Sequence, residues 1–287
     1  MKRKIIASLT LSILILTLAL SGCIFDMRKH VLDESDSFGI SDISEIDVDV
    51  AVKVLDVVTS ESDSVKITLI GTIWSSFDPS LIVEKNGEKI TVRTHEPSLF
   101  NTQIGKNDLE MLISVPRDYS EDLFLKTVAG SITVKNLEIE DFKASSVSGL
   151  LDLSTVLCEN AKISTVSGDI AAQDIKCDDM TIETVSGDIG SEGNISELDI
   201  KGVSGKITVS AIGTLGDIQI DNVSGDVVLS LCEDSGFTLN FTTVTGDFSS
   251  SEDLSSKSIE GKNVKAVCKD GSKTIKVSTV SGDLDIG

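Results

Sequence analysis

Apolar and polar residues alternate along most of this chain. Ile46, Val48, Val50, Val52 and Val54 keep a period of two, and Val65 to Trp74 forms a second such run. Leu81 to Thr94 alternates on both sides of Asn86-Gly87, and Leu109 to Val115 is a further run ended by Pro116. Alternation with β-branched residues predicts strands, and Asn-Gly between two runs predicts a hairpin. The 3.6-residue period of an amphipathic helix is missing, so the chain reads as all-β.

From residue 126 the alternation becomes a repeat. Glycines stand at 130, 149, 168, 187, 205, 225, 246 and 282, spaced 19, 19, 19, 18, 20, 21 and 36 residues apart. The commonest form is Val-Ser-Gly-Asp-Ile, as in Val166 to Ile170 and Val185 to Ile189. Val always lies two before the glycine, and Ile, Leu, Val or Phe two after it. The positions five and seven before are apolar, as at Ile163 and Ala161 or Ile182 and Met180. Glycine gives the permissive backbone of a sharp turn, and Asp or Ser beside it can bond the turn's own amides.

One such unit cannot bury its apolar face, whereas stacked units share a continuous core. The pattern therefore predicts a single-stranded β-solenoid, or β-helix, of about 19-residue coils. An antiparallel meander of hairpins is the second architecture; it needs two regular turns per repeat, and the second turn is irregular. The last, long glycine gap implies a degenerate coil or an insertion around Ile259 to Gly271. The residue three before glycine, often Thr as at Thr165 and Thr184, and the valine next to it cannot both point inward, which predicts a corner or bulge between them. The final coil ends at Gly287 without an obvious cap, so its edge is open to pairing with another chain.

The amino terminus has a different pattern. Lys2-Arg3-Lys4 precedes an apolar stretch from Ile5 to Leu20, then Leu20-Ser21-Gly22-Cys23. Sixteen apolar residues are short for a spanning helix, which needs about 20, and fit a secretory signal. The ending resembles the lipobox of bacterial lipoproteins. That resemblance implies a diacylglyceryl group on Cys23 and cleavage before it, hence an extracytoplasmic protein anchored by lipid to a bacterial cell membrane. The segments read as signal peptide 1–22, charged tether 23–37, β-rich region 38–125 that caps or merges with the first coil, and solenoid repeats 126–287.

Charge and composition narrow the function. The chain has 46 acidic and 25 basic residues, and loss of Lys2, Arg3 and Lys4 with the signal leaves an acidic excess of 24. Such a surface repels nucleic acid and anionic head groups. From Lys126 onward there is no Arg, His, Trp, Tyr or Pro, and the histidines are His30 and His95 alone. This scarcity weighs against catalysis and against stacking-based sugar binding. An enzyme of the polysaccharide-lyase kind is therefore the least favoured class.

The Val-Ser-Gly-Asp-Ile repeat, after a β-rich lead with a strand ending in Val115-Pro116, resembles the bacterial adhesin-like family known as domain of unknown function 4097. The resemblance covers residues 40–287. It implies a β-solenoid on the cell envelope, and either a binding and scaffolding role towards an envelope protein or glycan or an accessory role in envelope-stress signalling. It brings no catalytic or ligand residues. The pattern departs at Leu150 and Lys206, where Asp is expected.

Three candidate sites remain. Asp169, Asp188, Asp226, Asp247 and Asp283 form a column that could hold Ca²⁺, but one carboxylate per coil falls short of the six to eight oxygens calcium takes, so turn closure is the favoured role. Cys158 and Cys177 both lie nine after their glycines and should be stacked neighbours; in-register geometry favours two thiols over a disulfide. Cys232 and Cys268 each lie fourteen before a glycine and could align too. Trp74 and Phe77 near Pro79 form either a binding patch or, more commonly for tryptophan, part of the core.

Overall fold

The computed structural model describes residues 27–94, 104–214, 216–232 and 235–287. The signal peptide, Cys23 and His95 lie outside these residues. Seven strands precede the glycine repeats: β1 (Arg28–Gly39), β2 (Glu45–Val50), β3 (Val54–Ser60), β4 (Ser64–Ser75), β5 (Leu81–Asn86), β6 (Lys89–Thr94) and β7 (Ile104–Pro116). The repeats begin with β8 (Asp122–Thr127), β9 (Ser131–Glu138), β10 (Asp141–Ser148), β11 (Leu151–Ser167), β12 (Ile170–Ser186) and β13 (Ile189–Ser204). They continue through β14 (Ile207–Ala211), β15 (Asp217–Ser224), β16 (Val227–Ser230), β17 (Phe237–Thr242) and β18 (Phe248–Ser250). A hairpin of β19 (Leu254–Glu260) and β20 (Asn263–Cys268) comes before β21 (Lys273–Ser281) and β22 (Leu284–Ile286).

The repeats stack as a solenoid with like residue over like. Ala144 pairs with Ile163, Ile163 with Ile182, Ile182 with Ile200 and Ile200 with Ile220, all in parallel ladders. A second ladder carries Ile132, Leu151, Ile170, Ile189, Ile207 and Val227. Both ladders feed one core, in which Ile163, Ile182, Ile200 and Ile220 are fully buried. From Leu151 to Thr165 the ladder of β11 on β12 runs in three stretches, lapsing at Thr155 and at Glu159. A coil turns at its glycine and again at a corner where Asn136, Thr155 and Asp174 take positive φ of 54–55°.

The glycine spacing follows from contact between coils. A Cβ on Gly168 would stand 2.1 Å from the carbonyl oxygen of Gly149, and one on Gly187 would stand 2.0 Å from that of Gly168. No side chain fits between turns stacked this closely. The same approach links Gly225 to Gly205, Gly282 to Gly225, and Gly246 to Gly282. The order of coils in space therefore differs from their order in the chain. The last coil, β21 and β22, lies between the coil of β15 and β16 and the coil of β17 and β18. The open carboxy-terminal edge expected from the sequence is thus an interior position. The long glycine gap holds the β19–β20 hairpin, whose β20 runs antiparallel to β17 and caps that ladder.

The other end mirrors this arrangement. β2 and β3 form a complete coil lying between β6–β7 and β8–β9. Residues 45–60 therefore belong to the solenoid rather than to a cap beside it. Antiparallel strands close the end: β5 on β6 through the Asn86-Gly87 turn, and β4 then β1 on β7. Residues 28–37, read from the sequence as a tether, make up most of β1. Their polar composition suits an outermost strand whose Leu32 alone is buried.

Candidate functional site

The columns on either side of each glycine turn carry the surface chemistry. Three before the glycine, Thr127, Ser146, Thr165, Thr184, Asn222, Thr243 and Thr279 are buried. The valine two before it faces out: Val128, Val147, Val166, Val185, Val203, Val223 and Val280 are 46–50% exposed and Val244 is 67% exposed. The strand runs on through this step, with the ladder lapsing for one residue at the valine, so the parity conflict ends with threonine inside and valine outside. Stacked at roughly 4.8 Å per coil, eight valines make a strip about 34 Å long. A shallow groove runs beside it, floored by Thr165 and Thr184 and walled by Val147, Val166, Val185 and Val203.

Gly202 takes the inward threonine place in its coil. The space it leaves is filled from the next coil by Asn222, whose Oδ1 would be 2.6 Å from a Cβ at Gly202. Asn222 Nδ2 donates to the carbonyls of Gly205, Ser224 and Gly225, holding two turns together.

The aspartate column is an inter-coil cap. Asp169 accepts from the backbone N–H of Asp188 at 2.9 Å, and Asp188 accepts from that of Lys206 at 2.8 Å. Asp226 accepts from the N–H of Asp283, and Asp283 from that of Asp247. Each carboxylate thus bonds the turn of the next coil in the stack rather than its own, for about 0.5–1.5 kcal/mol per bond. Leu150 and Lys206 are gaps in this series because neither side chain can accept. Among the described residues no three His, Cys, Asp or Glu side chains group as a metal site.

Cys158 pairs with Cys177 across β11 and β12, and both are free thiols with sulfurs 3.3 Å apart. The hydrogen bond they share holds the Cys158 thiol below its ordinary range, and the same bond followed by burial pushes Cys177 up. Cys177 also lies 3.1 Å from the Asp179 carbonyl oxygen. Cys232 and Cys268 are not brought together. Cys232 bonds the Ala211 carbonyl after β16, while Cys268 ends β20 opposite Phe237 and Leu254. The hairpin between the last two repeats breaks the count that aligned them. Trp74 is 43% exposed rather than part of the core. It faces out because Ile73 and Ser75 take the inward places of β4.

Coils stacked through parallel ladders around one core, closed at the ends by antiparallel strands, define the class of fold. The model of the Toastrack family, DUF4097, matches residues 43–287, and the chain belongs to that family. No curated protein matches it significantly. Among solved structures, a putative lipid binding protein from Parabacteroides distasonis ATCC 8503 is similar at 15% identity and a TM-score of 0.51, covering 89% of this chain and 96% of that one. A putative adhesin from Bacteroides fragilis NCTC 9343 is similar at 9% identity and a TM-score of 0.50, covering 88% of this chain and 97% of that one. At these identities the likeness is one of fold.

Proposed function

We propose that this chain is a lipid-anchored, extracytoplasmic binding module of the bacterial cell envelope, and that it holds a partner protein along its valine strip. The observation that carries the reading is the strip. Valine recurs in all eight repeats at a place that core packing does not require, while the exposed or half-buried position two residues earlier varies freely among Lys, Ser, Glu, Asp and Thr. A β-branched ladder favours extended backbone. A continuous exposed apolar row of this length goes further, because such surfaces on soluble proteins mark interaction sites. A protein partner suits the strip better than a glycan, which would call for aromatic platforms.

The names of the two similar structures, an adhesin and a lipid binding protein, support binding rather than catalysis. Anchoring rests on the Leu20-Ser21-Gly22-Cys23 motif. It is tested by palmitate labelling in cells, which Cys23→Ala should abolish. The strip is tested by a photo-crosslinking residue placed at Val166 or Val185 in intact cells. Both positions should give the same protein adduct, Val203→Glu should remove it, and a probe at exposed Lys135 should give none. Equal yields from Lys135 would end this reading, and a glycan adduct would replace the protein partner.

A further inference from the structure

β4, β7 and β1 reach beyond the coil stack. β3 begins at Val54 opposite Glu110, so residues 104–109 of β7 run past its start, together with their partners at the end of β4. β1 lies along the far side of β4, with Lys29 opposite Trp74 and Val31 opposite Thr72. Directly opposite residues in an antiparallel pair share a face, so Lys29, Val31 and Trp74 point outward together. Trp74 Cβ and Met27 Sδ lie 3.2 and 3.3 Å from the place a Cβ on Gly105 would occupy, so the two side chains meet over that glycine. Met27, Val31, Trp74 and Ile104 are 38%, 74%, 43% and 47% exposed.

The chain's acidic excess does not extend to this tip: Asp26 precedes Met27 and Arg28 and Lys29 follow it, with Lys29 on the face of Trp74 and Arg28 opposite Ser75 on the other face. Of the nearby acids, Asp108 is paired by Lys53 and Lys106, and exposed Asp78 lies 3.3 Å from His30 Nδ1. Asp33 and Glu110 come only further along, both opposite Ile70. Salt screens beyond about 8–10 Å, so the local charge governs a surface in contact.

We infer that this tip is a membrane-contact site: Trp74, Met27 and Val31 enter the interfacial layer of the bilayer, and Lys29, on the same face, meets anionic head groups. The inference rests on the lipid anchor proposed at Cys23 and adds the surface that lies against the membrane. Met27 is the fourth residue after Cys23, a reach of at most about 14 Å, so a lipid on Cys23 would hold the tip at the bilayer. Tryptophan favours the membrane–water interface because one side of its ring is apolar and its N–H is polar. Stable anchoring by lipidated proteins commonly combines acyl chains with a second contact of this kind.

Trp74 is the chain's single tryptophan, so its emission reports this site alone. The mature chain with Cys23→Ser and an amino-terminal hexahistidine can be held on phosphatidylcholine vesicles containing a nickel-chelating lipid, with and without phosphatidylglycerol. Emission should shift to the blue and be quenched by lipids brominated on their acyl chains, more strongly with phosphatidylglycerol. Lys29→Glu should remove the phosphatidylglycerol dependence. Val31→Asp and, as a second variant, Met27→Ser should reduce the quenching while leaving the far-ultraviolet spectrum unchanged. Emission on vesicles equal to that in buffer would overturn the inference. Palmitate labelling tests the anchor separately: without label the anchor is lost as a reading, while the tethered protein still reads the tip.

Discussion

Gly202 and Asn222 show how one residue's size is set by its neighbour one coil away. Asn222 is larger than the threonines of its column and occupies the space that glycine leaves. Gly202→Ala should therefore overpack the turn and cost about 1–3 kcal/mol. Asn222→Thr in the same chain should recover part of that loss, since threonine is smaller than asparagine and is the usual occupant of this column. A double-mutant cycle on thermal or denaturant unfolding would measure the coupling. Additive effects of the two substitutions would mean that the side chains do not share this space.

At the scale of the elements, the strand ends below the glycine turns gather acids. Burial and then the nearby Asp141 raise the carboxyl of Asp122, and the adjacent Glu159 raises that of Glu140. A carboxyl with a raised folded value holds its proton more tightly in the folded state than in the unfolded one. Its contribution is fully present below the unfolded value and is lost as pH rises through the folded one. Asp42 and Asp108 have the opposite sign: hydrogen bonds from Ser41 and Lys106 lead in lowering them, and they give up stability only in strong acid. The melting temperature should therefore climb as pH falls from neutrality towards the ordinary carboxylate range, then drop below it. A melting temperature that falls steadily from neutrality downward would contradict this assignment. Glu140→Gln should flatten the climb.

The sequence made most elements legible, because period-two alternation and glycine spacing record burial and turn geometry directly. The Asn86-Gly87 hairpin, the run from Val65 and the stacked inward columns at Ile163 and Ile182 lie where the pattern puts them. What stayed hidden depends on contacts between coils. Which of Thr165 and Val166 faces inward is not fixed by their composition, since both are β-branched. That Asp188 bonds Lys206 rather than its own turn follows from stacking distance. The strand character of residues 28–37 was masked because an outermost strand buries little and so shows no apolar period. Trp74 read as core from the habit of its residue type, although its parity with buried Ile73 already placed it outside.

For the whole molecule, the two coils out of chain order matter most. Removing residues 273–287 would delete an end coil if the coils followed the sequence. Here it takes out β21 and β22, which join β15 and β16 to β17 and β18. A chain ending at Ser272 should therefore lose more than its last coil. β17 to β20 should become sensitive to protease, while the coils up to Gly205 stay resistant. Protection of Phe237 to Cys268 in the shortened protein would show that those strands can dock without the insert.

The same interleaving sets a schedule for a protein made from its amino terminus. Phe237 to Ser250 leave the ribosome well before Ile286, yet their seat in the stack exists only once Lys273 to Ile286 have slid in beneath them. The distal end must wait, with Phe237 and Phe241 uncovered, for Lys273 to Ile286. Synthesis of that segment thus acts as the latch, and a product terminated ahead of it displays bare aromatic side chains that distinguish it from a folded one.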